Sequence, residues 1–315
     1  MHEKKVFGHR AIFFVFASTQ NSTHDPSPLR NKPMELHVPE CMVPSLDDVE
    51  AMVQRWREET APHEKQGQQK HVEIEARLGL VQRTYPDNKT RFVNGVTAEF
   101  FATVLAMFGE FKEWDLVETE HMSKDSFYVL ADKRRIRTTT FYEEGKDPRV
   151  SHVCKNGMST LDLEWKGRGT TRPHGVADVR IALAVEEPVD PPPDLGVLVD
   201  PVHVRYKMRQ SYTCRHWRFD MTRSWTGNSD AVMHTSTPTY EIEMELVAGE
   251  ALLSDSKHSN KYVALSLLHR VCGLYSVNET TYVLAPARVA SNVCAEKGCN
   301  NPHRSATGFC SHHRV

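Results

Sequence analysis

Tyr240-Glu241-Ile242-Glu243-Met244-Glu245-Leu246 is the stretch on which the fold turns. Its acids alternate with apolar residues at period two, the spacing that puts three carboxylates on one face of a β-strand and Ile242, Met244 and Leu246 on the other. Far upstream, Val72-Glu73-Ile74-Glu75-Ala76-Arg77 alternates in the same way. Three segments between them repeat the pattern with cations: Arg135-Ile136-Arg137, Arg205-Tyr206-Lys207-Met208-Arg209 and Arg218-Phe219-Asp220-Met221-Thr222. Three like charges on one strand face repel unless cations or a metal lie opposite them. A surface lattice of salt bridges would not explain why so many strands alternate charge with Ile, Val, Met, Phe or Tyr, residues that need a core. A barrel with a charged interior, its apolar side chains turned outward against helices, meets both demands. Such an interior suits a polyanion and its metal.

The bulk composition narrows the classes. At 315 residues the chain can bury a large core, as one big domain or two ordinary ones. A formal net charge of -2 gives no basic surface for tracking a nucleic-acid backbone, so a polynucleotide would be held by its end. The seven cysteines form no regular framework, which favours unpaired thiols in a reducing compartment. No apolar run approaches the ~18–20 residues of a membrane-spanning helix, and no membrane partner is expected. Lys4 and Lys5 precede a short apolar run, Ala11-Ile12-Phe13-Phe14-Val15-Phe16-Ala17, but His9 and Arg10 interrupt it. Residues 1–43 are therefore read as a disordered leader and linker rather than a targeting segment.

A helix is expected from the cap at Ser45, with Asp48 completing a capping box, to about Trp56, where the polar stretch 58–70 should break it. A strand follows over 72–78. Thr97 is placed to cap a second helix through Phe100, Phe101, Val104, Leu105 and Phe108. From 117 to 246 short alternating strands dominate, with turns expected at Glu144-Gly145-Lys146-Asp147-Pro148, Lys155-Asn156-Gly157 and Thr226-Gly227-Asn228. The proline-rich stretch 188–200 reads as a loop. A third helix over 260–272 carries Val263, Leu267 and Val271 on one stripe, with Gly273 as its expected stop. The fold class is therefore α+β: about eight antiparallel strands closing into a barrel, with a few packing helices. Closure at eight strands leaves an interior wide enough for side chains or one small ligand.

Glu73 and Glu75 lie two apart, so their Cβ atoms are about 6.5–7 Å apart on one face. Two such carboxylates converge on one divalent ion, with a third from a neighbouring strand completing the protein's share. Mg²⁺ or Mn²⁺ takes oxygen ligands and fills its remaining positions with water or phosphate oxygens. The matching cations are Arg137, Lys207, Arg209 and Arg218. Arg offers a fork of donors suited to phosphate oxygens, and Lys offers a point charge.

In order along the chain stand Glu-x-Glu at 73–75, Arg-x-Lys-x-Arg-x-Ser at 205–211, Arg-x-Asp-x-Thr at 218–222 and Glu-x-Glu-x-Glu at 241–245. This ordered set resembles the triphosphate tunnel metalloenzymes, specifically the metal-dependent RNA 5′-triphosphatases of fungal, protozoan and viral mRNA capping. The resemblance runs from about 72 to 246. It implies an eight-stranded antiparallel tunnel that removes the γ-phosphate of triphosphate-ended RNA as the first step of cap formation. By it, Glu73, Glu75 and Glu245 would be direct ligands of a catalytic Mg²⁺ or Mn²⁺, with Glu241 and Glu243 as supporting carboxylates. Arg137, Lys207 and Arg209 would grip the γ-phosphate, Asp220 would orient that grip with Arg218 beside it, and Glu186 would position the attacking water. Lys166 matches a further phosphate-contacting lysine, with Lys155 as the alternative. A separate guanylyltransferase partner and a nuclear location, with the cytoplasm as alternative, also follow from the resemblance.

Other chemistries lack their motifs. None of the cysteines has an arginine six positions later, which excludes a cysteine phosphatase, and no phosphate-binding Gly-rich loop ending in Gly-Lys-Ser/Thr occurs. No Lys-x-Asp-Gly nucleotidyl-transfer motif occurs either. Two alternatives remain: a related tunnel phosphohydrolase acting on tripolyphosphate, thiamine triphosphate or free nucleotides, and a non-catalytic polyanion-binding module. The former usually carries Glu-x-Glu-x-Lys on its first strand, where Arg77 stands here. In the tail 289–315, Cys294, Cys299, Cys310 and His313, with His312 as an alternative, make a complete tetrahedral zinc set of zinc-knuckle spacing.

Overall fold

The computed structural model describes residues 45–65, 71–84, 86, 89–167, 177–190, 195, 200–247, 258–275 and 282–286. The leader 1–43 and the tail ligands Cys294, Cys299, Cys310 and His313 lie outside the described residues. In chain order the elements are α1 (Leu46–Lys65), β1 (His71–Thr84), β2 (Lys89–Asn94), α2 (Ala98–Glu110), β3 (Leu116–Val129), β4 (Arg135–Tyr142) and β5 (Arg149–Gly167). There follow β6 (Asp178–Pro188), β7 (His203–Cys214), β8 (Trp217–Gly227), α3 (Val232–Thr235), β9 (Thr239–Leu246), α4 (Asn260–Tyr275) and β10 (Tyr282–Pro286).

Eight strands close on themselves in the order β1-β6-β5-β4-β3-β7-β8-β9, every neighbour antiparallel, with β9 returning to β1. Closure removes the exposed sheet edges that a long antiparallel sheet would otherwise carry. β2 and β10 lie outside the ring, on the far ends of β1 and β5. At Gly79 strand β1 passes from β6 to β2. A Cβ there would stand 2.3 Å from the Val93 carbonyl oxygen and 2.7 Å from the Phe92 ring, so only glycine lets the two strands meet.

The apolar halves of the alternating strands face outward. Val72, Ile74, Ala76 and Leu78 of β1, Trp217, Phe219 and Met221 of β8, and Ile242, Met244 and Leu246 of β9 join one buried cluster with the helices. Val49, Val53 and Trp56 of α1, Phe100, Phe101, Val104 and Phe108 of α2, and Val263, Leu267 and Val271 of α4 supply the other half. Each large side chain removed from water there contributes roughly 1.5–3 kcal/mol. Two indoles tie the layers by hydrogen bonds as well: Trp56 Nε1 donates to the Val72 carbonyl at 3.0 Å, and Trp217 Nε1 to Ser266 Oγ at 3.1 Å.

Four expectations are corrected. α1 does not stop near Trp56 but runs to Lys65 in spite of Pro62: Arg57, Glu58 and Glu59 are good helix formers, and Gln54 bonds Glu58 one turn on. Lys155-Asn156-Gly157 is not a turn; it lies inside β5, where the register shifts between Gly157 and Ser159, so its glycine marks a bulge. Between β1 and Thr97, where the alternation discloses no further strand, the chain turns near Pro86 and returns as β2, hairpin partner of β1. Gly273 does not end α4, which continues to Tyr275 because Leu274 is buried against the core. Thr97 does cap α2, its side chain accepting from the Phe100 amide at 3.2 Å.

Candidate active site

Because residues two apart share a face, the inward positions of the ring follow from its register. Glu75 faces Glu245 and Arg77 faces Glu243 across β1 and β9, while Arg218, Asp220 and Thr222 face Glu245, Glu243 and Glu241 across β8 and β9. On the other side Asp125 faces Arg205 and Thr139, and Lys155 faces Glu186. The charges of eight strands therefore converge on one interior.

The carboxylates gather at the β1–β9 seam. Glu73, Glu75, Glu241 and Glu243 are buried although ionisable. A ring nitrogen of His71 and carboxylate oxygens of Glu73 and Glu245 all lie within 4.8 Å of one another. Glu75 turns instead to Arg77 at 2.8 Å and to Lys155 at 3.6 Å. The Lys155 ammonium lies against Glu73 and 3.4 Å from Glu186, so it is the counter-charge of three carboxylates. The oxygen-rich donor set, with one imidazole at its margin, fits a hard divalent ion.

The cations stand mostly on β4, β7 and β8, each held by its own acid. Arg137 Nη2 donates to both oxygens of Glu186, at 2.8 and 3.0 Å. Lys207 lies 2.7 Å from Asp125, whose other oxygen accepts from Thr139 Oγ1 at 2.8 Å. Arg209 is spread over Asp220 at 2.8 Å, Glu243 at 3.1 Å and Thr222 Oγ1 at 3.0 Å. Arg218 reaches Asp220 at 3.1 Å and also lies against Glu245. Ser211 Oγ donates to Asp220 at 2.7 Å, which fixes that carboxylate from a third side. Arg205 pairs with Glu241, which also accepts from Ser224 Oγ at 2.7 Å. The buried Nε atoms of Arg137 and Arg205 have no hydrogen-bond partner among the described residues, and Arg77 Nε lies 3.2 Å from Glu243 as an ion pair without hydrogen-bond geometry.

Proton affinities follow the geometry. Burial, with the neighbouring Glu186 and Glu245, lifts Glu73 to about 7 against the pull of Lys155. Burial works against Glu243 too, but Arg77 and Arg209 hold it far below the usual carboxylate range. Glu186 is likewise lowered, burial being outweighed by Arg137 and Lys155. Burial, then Arg209 and Arg205, bring Lys207 down to about 8 despite Asp125.

Of the residues singled out from the sequence, Glu73, Glu75, Glu186, Glu241, Glu243, Glu245, Arg137, Lys207, Arg209, Arg218 and Asp220 are brought into this one interior. The backbone of Lys166 lies at the far end of β5 opposite Val283, away from the rung that pairs Lys155 with Glu186. Lys155, weighed as the alternative, stands among the carboxylates. Sequence reading missed His71 and Asp125. His71 continues the period of Glu73 and Glu75 by one step and could have been found. Asp125 could not: Ser123-Lys124-Asp125-Ser126 is polar on both faces, since Lys124 turns outward to Asp230 at 2.7 Å.

Comparison with known proteins agrees with this arrangement. The family described as mRNA capping enzyme, beta chain, matches residues 87–268, more than half of the chain. No curated protein matches the chain by sequence. Among solved structures, the S. pombe Pct1 RNA triphosphatase is 20% identical with a TM-score of 0.51, over 79% of this chain and 93% of that one. The same enzyme in complex with the Spt5 CTD aligns at 20% identity and a TM-score of 0.52, over 78% and 92%. The Mimivirus capping enzyme triphosphatase is more distant, at 15% identity and a TM-score of 0.42, over 73% and 97%. At these identities the likeness to solved structures is one of fold.

Proposed function

The chain belongs to the mRNA triphosphatase family, the beta chain of the mRNA capping enzyme, and from that premise we propose how its tunnel removes the γ-phosphate of triphosphate-ended RNA. The observation that carries the reading is the inward convergence of Glu73, Glu75 and Glu245 opposite Arg137, Lys207 and Arg209 inside a closed ring. Phosphoryl transfer asks little covalent chemistry of a protein; it asks for positioning and for neutralisation of charge on the equatorial oxygens.

Arg209 and Arg137 present forks, and Lys207 a point charge, to those oxygens. Asp220, fixed by Ser211 and Arg218, sets the direction of the Arg209 fork. Glu186, held by Arg137 and Lys155, is the carboxylate placed to orient a water for in-line attack. Glu73, Glu75 and Glu245 would hold a divalent cation, Mg²⁺ or Mn²⁺, with His71 at its edge and Glu241 and Glu243 keeping the surrounding cations in place. That ion supplies Lewis-acid neutralisation of phosphate charge. A capping role would put the chain in the nucleus beside a separate guanylyltransferase, and a partner like the Spt5 CTD bound by the Pct1 enzyme is a candidate for this chain as well.

The test is γ-phosphate release from triphosphate-ended RNA, with and without Mg²⁺ or Mn²⁺, beside ATP and tripolyphosphate. Metal-dependent release from RNA is the expected result. Binding of triphosphate RNA without turnover under every metal would overturn the reading.

A further inference from the structure

The tunnel lining is ionic on nearly every rung, and one rung departs from that. Phe127 of β3 pairs in register with His203 of β7 on one side and with Arg137 of β4 on the other. Asp125 and Arg205, two positions away on the same strands, reach Lys207 and Glu241 inside the tunnel, so Phe127 and His203 face inward too. Their rings are parallel, centroids 4.2 Å apart and planes 15° apart. Both are half-exposed and neither belongs to the buried core, so packing does not explain them. Burial and the nearby Arg205 hold His203 below the ordinary imidazole range, which keeps its ring neutral and its face suited to stacking.

We propose that Phe127 and His203 form a platform on which the first nucleobase of the substrate stacks while its phosphates lie on Arg137 and Lys207. This rests on the RNA triphosphatase reading and adds to it the source of preference for nucleotide ends over bare polyphosphate. Asp125, which holds Lys207, and Phe127 are about 7 Å apart along β3, room for phosphates on one side and a base on the other. Stacking is indifferent to sequence because every base has a π-face. That suits an enzyme that meets different first nucleotides. Phe141, another aromatic on an inward position of β4, has the Arg149 guanidinium over its ring at 4.9 Å, whereas the stacked Phe127 and His203 rings each keep one outer face for a base.

The experiment measures kcat/KM on triphosphate-ended RNA, ATP and tripolyphosphate for the full chain and for Phe127→Ala, Phe127→Tyr, His203→Ala and Phe141→Ala, with thermal unfolding as a fold check. Loss of a stacked base costs about tenfold. Phe127→Ala should lose about that on RNA and ATP and less than twofold on tripolyphosphate. Phe127→Tyr should restore it, and Phe141→Ala should leave all three unchanged. Equal loss on tripolyphosphate, no loss on the base-bearing substrates, or a base-dependent loss in Phe141→Ala instead would each overturn the platform. A wild-type chain that cleaves ATP and tripolyphosphate but not RNA ends would refute the RNA reading, while the ratio of ATP to tripolyphosphate would still decide the platform.

Discussion

The acidic seam of β1 and β9 and the cationic wall of β4, β3 and β7 face each other across one tunnel, but they are balanced differently. On the cationic wall each cation lies on at least one acid at hydrogen-bond distance: Lys207 on Asp125, Arg137 on Glu186, and Arg209 on Asp220 and Glu243. At the seam, Glu73 has only Lys155 among the described residues, shares that ammonium with Glu75 and Glu186, and is crowded by Glu186 and Glu245. A wall whose cations are all held in place by acids suits a fixed template for an anion. A seam in which acids crowd one another around Glu73 has capacity for another cation. On the proposed function, this difference divides the tasks between the two walls, phosphate on one and divalent ion on the other.

The largest effect should come from emptying the seam. Glu73→Ala or Glu245→Ala is expected to lower turnover at least about a hundredfold, the scale of lost transition-state electrostatics, in a protein that still unfolds cooperatively. Near-wild-type phosphate release in a folded Glu245→Ala protein would break the comparison at its acidic side.

Next comes the template. Arg209→Lys keeps the charge but cannot reproduce contacts to Asp220, Glu243 and a phosphate at once, so its rate should stay within about threefold of Arg209→Ala, each down tens of fold. Restoration of most of the rate by lysine would reduce Arg209 to a structural charge.

Asp125 is only 1% exposed, and removing its charge strands Lys207. Asp125→Asn should cost about 3 kcal/mol in chemical denaturation. Asp230→Asn, which breaks an exposed pair with Lys124 outside the tunnel, should cost under about 1 kcal/mol. Equal costs would erase the distinction between inside and outside.

A gentler probe is pH. Burial leaves Lys207 titrating at about 8. Below that value it is charged and grips phosphate; above it the grip weakens, so KM for the triphosphate should rise between pH 7 and 9. Lys207→Arg stays charged throughout and should flatten that rise. An unchanged profile in Lys207→Arg would remove Lys207 as its source.

The smallest effect is expected from the tail, which belongs to neither wall. Truncation after Arg288 should leave hydrolysis intact and remove one zinc, read by metal analysis of both proteins, since a zinc knuckle folds only with its metal. Equal zinc in the two forms would move the site elsewhere.

How much of this could be read beforehand depends on whether a strand shows two chemically distinct faces. β1, β7, β8 and β9 do, and their inward residues were legible one by one, Glu245 and Arg209 included. β3 does not, because its outward face carries Lys124 bonded to Asp230, so Asp125 had no apolar neighbours to betray it. Glycine misled twice, at Gly157 and Gly273. A bulge inside β5 and the packing of Leu274 override the punctuation that glycine usually supplies. The lysine among the carboxylates was ambiguous for a related reason: Lys155 and Lys166 lie on one strand, and only its register with β6 tells them apart.

The β1–β9 seam has one more consequence. It joins the ring's first strand to its last through three paired residues, Glu75 with Glu245, Ala76 with Met244 and Arg77 with Glu243, fewer than any other joint in the ring. In a chain made from its N-terminus, this joint waits until every other strand of the ring exists. Carboxylates from both of its sides are the ones suited to a divalent ion. Loading such an ion would latch the weakest and last-made joint, so hoop integrity and readiness for chemistry would be one thermodynamic quantity rather than two.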